Sequence, residues 1–288
     1  MTPETREAIQ RRYRGSEFGL RAVFRGDPDG ASRRYERYVS FVLANTGRRP
    51  AVILDIGCGT GWSTASLRRA GHRAFGTDLH ADTPEIGQAG IQFAYVTADA
   101  QVLPFRSSTF DTVTMHEVLE HVPDPERLLE ECLRILRPSG RLIVVGPHLL
   151  SIGVAFRGAL RETWQVIRSR GHWPVRTPDM PRHPFGNTPA EAYAALAHHA
   201  LQTFRKSFGE SPVRFLMREP DPRPPFHSDN DACYYCNPMD LLLWAKQRTD
   251  VRPIRWWAAD RRFGRVLWPV LGGTWIVLER TTPTRASY

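Results

Sequence analysis

Hydrophobic positions along this chain change period several times, and each change marks an element. Ala31, Tyr35, Tyr38, Val39, Val42 and Leu43 recur at helical spacing, and Gly47 stops the run, so residues 31–45 are predicted to form an amphipathic helix. Val52–Ile56 follows as an apolar run broken only by Asp55, the pattern of a buried strand. Residues 62–70 read as a short helix with Arg68 and Arg69 in the last turn and Gly71 at the C-cap position. Short strands are predicted over 73–77, 91–97 and 110–115. The helix over 124–137 has Asp124 to cap it, Pro125 in the first turn and a buried face of Leu128, Leu129, Cys132, Leu133 and Leu136. Arg141–Val145 is a second unalternating apolar run. Strands alternating with helices in this way specify an α/β, doubly wound, mostly parallel sheet covered on both faces.

After Gly146 the alternation stops. Residues 148–237 are rich in Pro, Arg, His and aromatics, with helical patterns near 150–168 and, behind the capping box Thr188-Pro189-Ala190-Glu191, over 188–204. The sheet pattern resumes with a helix from Asn237-Pro238 and strands over 251–257 and 274–278, bringing the strands to seven. The expected organisation is an N-terminal helical cap (1–50), a core (51–147), an inserted lid or substrate region (148–237) and a C-terminal completion of the sheet (238–288). The insertion leaves the sheet at its carboxyl edge, where open α/β sheets bind ligands.

Composition changes this picture little. Of 288 residues, 41% are hydrophobic and 24% charged, which suits a globular chain able to bury a core without staples. The formal net charge of +9 comes almost wholly from arginine, since Lys206 and Lys246 are the lysines. Such an excess fits a polyanion, an anionic membrane face or simply a solvated surface. Residues 1–10 are polar, no run of 18 apolar residues occurs, and four cysteines are too few for a disulfide framework. The expected location is cytoplasmic. The basic amphipathic stretch within 150–176, with Trp164 and Trp173, reads as a lid on the sheet, a role compatible with peripheral membrane contact.

The chemistry begins at Gly57-Cys58-Gly59-Thr60-Gly61, between the first strand and the following helix. Glycines there allow a tight turn and close backbone approach, and the helix N-terminus favours an anion. The spacing is G-x-G-x-G, neither the dinucleotide fingerprint nor a P-loop. Asp78 ends the second strand, where a carboxylate can accept hydrogen bonds from both ribose hydroxyls.

VILDIGCGTG, then FGTDLH, then TADAQVLPFRSSTFDTVTMHEVLEHVPDPERLLEECLRILRPSGRLIVVGP, resembles the core of class I S-adenosylmethionine-dependent methyltransferases, in the branch holding ubiquinone-, menaquinone- and natural-product enzymes. The resemblance covers about residues 51–147 and implies a Rossmann-like methyltransferase fold with S-adenosyl-L-methionine as cofactor. It implies that Asp55 and the loop residues Gly57, Cys58, Gly59 and Gly61 hold the methionine end. Asp78, with Leu79 beside it, would take the ribose, and Asp99, with Ala100, the adenine. His116 would border the sulfonium and the acceptor.

Methyl transfer to oxygen often requires removal of a proton, and histidine suits that task because its ordinary pKa is near 6.5. Candidate bases are His116 and His148 at strand ends and His227 on the insertion. Glu117, Glu120 and His121 share a face if helical, where a divalent metal could sit. The plainer reading is a helix start with glutamate near its positive end and His121 packed, and no metal is expected. Residues 225–238 concentrate His, Asp and Tyr just before the chain rejoins the sheet, so Asp229, Tyr234 and Tyr235, together with Glu117, are candidate substrate contacts. The alternative there is a structural crossover with buried tyrosines. Cys233 and Cys236 form a lone CxxC pair, two ligands short of a zinc site.

The expected function is methyl transfer to a small-molecule acceptor, on oxygen of a secondary metabolite, sugar or lipid-like compound. Two alternatives stay open: methylation of RNA, favoured by the charge but lacking a recognisable RNA module, and a cofactor-binding protein that no longer transfers methyl.

Overall fold

A computed structural model describes residues 28–59, 61–79, 94–146, 215–217, 231–234, 236–256 and 274–282, with isolated positions besides. In chain order the described elements are α1 (Pro28–Asn45), β1 (Val52–Ile56), α2 (Trp62–Arg69), β2 (Arg73–Asp78), β3 (Tyr95–Thr97) and β4 (Phe110–His116). A 3₁₀ turn (Leu119–His121), α3 (Pro125–Ile135), β5 (Leu136–Gly146), α4 (Pro238–Lys246), β6 (Val251–Arg255) and β7 (Thr274–Arg280) follow. The strands form one seven-stranded sheet in the order β3-β2-β1-β4-β5-β7-β6. β1 pairs in parallel with β2 and β4, and β7 is antiparallel to both β5 and β6. The doubly wound, mostly parallel sheet expected from the hydrophobic pattern is therefore present.

Strand periodicity sorts the core into two layers. Leu54, Ile56, Val113, Met115, Leu142 and Val144 point to the face covered by α3 and α4. Ile53, Ile143, Val145 and Val277 point to the face where Tyr38, Val39 and Val42 of α1 and Leu67 of α2 pack. On that second face the central strands also carry Asp55, Thr112 and Thr114, all buried. A polar column at the middle of a buried face is costly unless it is hydrogen-bonded, and here it is. The polar side chains lie where β1 and β4 lead towards their C-terminal ends.

Local signals behave as expected at most boundaries. Asp124 caps α3, accepting from the Arg127 amide at 3.0 Å, and Asn237 caps α4, accepting from Met239 at 2.9 Å. β5 is the main departure. The helix expected to reach Arg137 ends at Ile135, because Leu136 already pairs with Phe110 of β4 and is buried in the core. The chain then turns through Ser139, in the left-handed region at φ 63°, before the expected run Arg141–Val145. The stretch expected as a helix start at 117–121 is a single 3₁₀ turn, since the Glu117 amide donates to the Val145 carbonyl at 2.9 Å and so prolongs the β4–β5 pairing.

Among the described residues no helix is long and apolar enough to cross a membrane. The expected helix over 150–168, the basic stretch 150–176 and nearly all of 188–204 lie outside the described residues.

His72 supplies a test of how the sheet is seated. Its Nδ1 accepts the Ala51 amide, 3.1 Å away, and the ring is buried, which lowers its pKa, with the Arg49 charge adding to the effect. The unfolded chain therefore binds the proton more readily than the folded one. The His72 contribution to stability is full above the ordinary imidazole value of about 6.5 and is lost as pH falls below it. Urea midpoints measured from pH 8 to pH 5 should show His72→Ala less stable at pH 8, with the gap from the parent narrowing towards pH 5. A gap that stays constant with pH would contradict this account.

Candidate active site

The glycine loop joins β1 to α2 and is tied to the end of β2. The Gly57 and Cys58 amides both donate to the Thr77 carbonyl, at 2.8 and 3.1 Å, and the Gly61 amide to Cys58 at 2.8 Å. The Gly59 amide donates to Asp78 Oδ2 at 2.9 Å, while the Leu79 amide takes Asp78 Oδ1 at 2.7 Å. These four loop amides thus have acceptors within the chain, so the loop's part is first of all a shape. Gly57 has φ 67°, and a Cβ there would stand 2.2 Å from Cγ2 of Val118. Gly59, at φ 50°, is the opposite case: among the described residues a Cβ would meet nothing within 4 Å. Among the described residues the loop therefore leaves open space over Gly59, beside the Asp78 carboxylate, where backbone and a ligand could approach closely.

Asp55 lies under this loop, 1% exposed. It accepts from Ser63 Oγ at 2.6 Å and Thr64 Oγ1 at 2.7 Å, both in the first turn of α2, and from the Tyr38 phenol at 3.1 Å. Burial pushes the Asp55 carboxyl up, and the three hydroxyl donors oppose that shift. Tyr38 is pushed up as well, by its own burial and then by the Asp55 charge, so the phenol stays a donor. Cys58 is a buried thiol whose pKa is raised by burial and by the Asp55 and Asp78 charges, which leaves it unreactive.

Asp99 stands just beyond β3, next to β2 in the sheet. Its Oδ1 accepts both the amide and the Nε2 of Gln101, at 2.9 and 3.0 Å. Ala100 packs against the main core. His116 ends β4 and is half-buried. Its ring stacks on Tyr38 with centroids 4.7 Å apart and planes at 23°, and meets the edge of Tyr35 at 5.6 Å. Tyr35 in turn touches Trp62, the residue after Gly61, at 5.6 Å. Two of the expected site residues, Asp55 and His116, are thus brought together through a residue that was expected only to fill a core, Tyr38.

Glu117 is exposed and held at φ 54°, a conformation that costs a side-chain-bearing residue of the order of 1–3 kcal/mol. Glu120 is buried and does not share a helix face with Glu117. His121 Nδ1 lies 3.2 Å from Asp231 and its Nε2 3.8 Å from Glu120. Among the described residues no three His, Cys, Asp or Glu side chains are grouped to hold a metal. Tyr234, expected to touch the acceptor, is fully buried in the main core instead. Its phenol donates to Asp240 Oδ2 at 2.7 Å and accepts from the Asn237 amide at 3.1 Å, so it braces the start of α4. Cys233 and Cys236 are both buried and not joined in a disulfide. His148, His227, Asp229 and Tyr235 lie outside the described residues.

Residues that the sequence did not single out complete the site: Ser63, Thr64 and Thr114. Ser63 and Thr64 follow the last glycine directly, and Thr112 and Thr114 alternate within an otherwise apolar strand. Polar side chains recurring on one face of a buried strand were the available signal.

Residues 54–144 match the family model described as a methyltransferase domain. A ubiquinone biosynthesis O-methyltransferase of Xylella fastidiosa is 30% identical over 158 residues, which is 49% of this chain and 63% of that protein. One of Methylococcus capsulatus is 35% identical over 134 residues, 43% of this chain and 56% of that protein. The demethylmenaquinone methyltransferase of Clavibacter sepedonicus is 36% identical over 96 residues, 32% of this chain and 39% of that protein. The chain spans less than two thirds of the length of these curated relatives. The crystal structure of Burkholderia thailandensis 1,6-didemethyltoxoflavin-N1-methyltransferase aligns over 98% of this chain and 92% of that one, with a TM-score of 0.53 at 17% identity, and so shares the fold. Residues 54–144 are thus similar in sequence to the class I S-adenosylmethionine-dependent methyltransferase domain, with a distant likeness to the ubiquinone and menaquinone methyltransferases, and that likeness implies S-adenosylmethionine as methyl donor.

The two glycines should separate folding from binding. Gly57→Ala puts a methyl group into Val118 at a left-handed position and should lower the melting temperature by several degrees, the effect of about 1–3 kcal/mol. Gly59→Ala costs only the left-handed backbone penalty of about 1–2 kcal/mol in stability. It should nevertheless weaken S-adenosylhomocysteine binding at least tenfold in calorimetry, because the methyl fills the open cradle. Equal losses of stability and binding in both variants would contradict this division.

Proposed function

We propose that the protein transfers a methyl group from S-adenosylmethionine to an oxygen of a small-molecule acceptor, a secondary metabolite, sugar or lipid-like compound. One observation carries the reading: the open glycine cradle with Asp78 beside it lies along the same sheet edge as a half-buried histidine, His116, at the end of β4. The residues suit the cofactor, since the space over Gly59 admits a ligand and the Asp78 carboxylate is placed for hydroxyl groups. Asp78 would hold the ribose, Asp99 the adenine amino group, and Asp55 would keep the loop in shape from below. When bound, S-adenosylmethionine supplies a methyl group activated by a positive sulfur.

The work left to the protein is alignment and proton removal. His116 is fixed by its stack on Tyr38 and is the candidate to take the acceptor's hydroxyl proton as the oxygen forms its bond to carbon. Glu117, exposed and strained beside it, is the candidate to orient the acceptor. The acceptor pocket would be completed by residues 1–30 and by the insertion 148–237, on which His148, His227, Asp229 and Tyr235 lie. The O-methyltransferase names of the relatives and the N1-methyltransferase name of the solved structure support methyl transfer in general. The preference for oxygen rests on the former.

The test is incubation with methyl-labelled cofactor and cell extract, followed by separation into lipid, polar small-molecule, RNA and protein fractions. Label is expected in a small-molecule or lipid fraction, with His116→Ala lowering the rate at least tenfold while leaving S-adenosylhomocysteine affinity within a few-fold of the parent. Label in RNA would replace the acceptor class. Tight cofactor binding without label in any fraction would leave a binding protein and sink the proposal.

A further inference from the structure

Tyr38 belongs to a helix outside the glycine-loop motif, yet it is where three parts of the site meet. Asp55 and Thr114 are register partners on the adjacent strands β1 and β4, so their side chains lie side by side on the α1 face. The Tyr38 phenol reaches both, at 3.1 Å to Asp55 Oδ1 and 2.8 Å to Thr114 Oγ1. It has one proton to give. With Asp55 held as an acceptor by its hydroxyl donors, the phenol proton goes to Asp55, and Thr114 then donates to the phenol oxygen. The order of donors is thereby fixed from β4 through α1 to the base of the glycine loop. Ser63 and Thr64 donate to the other oxygen of Asp55, and they begin the helix that leaves the loop at Gly61. The loop is slung between Asp55 and that helix turn, so the position of the carboxylate sets its curvature. The face of the same Tyr38 ring stacks on His116.

We infer that Tyr38 is a positioning residue through which helix α1 takes part in cofactor binding and catalysis. Its hydroxyl holds Asp55 and hence the glycine loop, and its ring holds His116. The two ends of one side chain therefore act on different steps. The inference rests on the proposed methyl transfer for its catalytic half, while its binding half stands on cofactor affinity alone.

The experiment compares Tyr38→Phe, Tyr38→Leu and Asn45→Ala. Asn45 sits at the end of the same helix, its side chain donating to the Phe41 carbonyl at 2.7 Å, and its replacement loosens α1 without touching the Asp55 network. S-adenosylhomocysteine affinity is measured by calorimetry, methyl transfer by kcat and KM for the cofactor, and folding by melting temperature. Tyr38→Phe keeps the stack and loses the donor, so cofactor Kd and KM should rise roughly tenfold, in keeping with one hydrogen bond to a charged group, with kcat within about twofold. Tyr38→Leu loses both and should lower kcat at least tenfold as well. Asn45→Ala should lower the melting temperature yet bind as the parent does. Affinity in Tyr38→Phe equal to the parent, or a loss in Asn45→Ala as large as in Tyr38→Phe at matched stability, would overturn the inference. If the parent itself does not bind S-adenosylhomocysteine, the proposed function fails instead. If it binds but transfers no methyl, the binding half is still decided.

Discussion

Everything at the carboxyl edge of this sheet depends on one buried charge. Asp55 is withdrawn from water beneath the glycine loop, and such a carboxylate is tolerable only when its lone pairs are occupied. Three hydroxyls from two separate places occupy them: two from the turn that follows the loop, and one from α1. Satisfying that charge therefore forces α1 onto the sheet, α2 to begin where it does, and the loop to bridge them. The alternation of β1 makes this possible, because Leu54 and Ile56 enter the opposite core layer and leave Asp55 on the α1 face.

The two faces of the sheet are accordingly unequal. Under α3 and α4 the central strands are apolar and the packing is of the ordinary hydrophobic kind, with Tyr234 and Asp240 as a hydrogen-bonded polar pair buried within it. Under α1 the same strands present Asp55, Thr112, Thr114 and then His116. One face supplies most of the burial that holds the fold, and the other holds polar groups in fixed places where the strands end. A parallel sheet permits this asymmetry because each of its faces has its own helical cover.

Much of this was legible in the sequence, for reasons that differ between its parts. The sheet could be read because parallel strands buried on both faces are unalternating apolar runs, and because Asp124 and Asn237 announce their helices by capping chemistry. The boundary between α3 and β5 could not, since the pairing of Leu136 with Phe110 is a tertiary contact that overrides a helical pattern still running at that point. The cofactor side of the site was visible as glycines and carboxylates at strand ends, where local sequence dictates both conformation and chemistry. Tyr38 was hidden, because an aromatic residue on an amphipathic helix looks the same whether its hydroxyl is idle or holds a buried aspartate. Tyr234 misled for the same reason in reverse: its surroundings in sequence are polar, but its ring is core and its hydroxyl is spent on Asp240.

The stretch after β4 shows why local spacing could suggest a three-residue helical face that the described backbone does not build. Glu117, Glu120 and His121 share a face only if the backbone is helical from Glu117 onward. The amide of Glu117 is instead held by Val145, which continues the β4–β5 ladder one residue past the strand and drives Glu117 into the left-handed region. The turn that follows is too short to align three side chains. Glu120 goes inward, and its carbonyl receives the Cys233 and Tyr234 amides, at 2.6 and 2.9 Å, where the chain returns towards α4. The same few residues thus anchor the returning chain on one side and set Glu117 at the open edge on the other. Strand pairing decides this division of labour. It fixes the stretch as an anchor between the sheet edge and the returning chain.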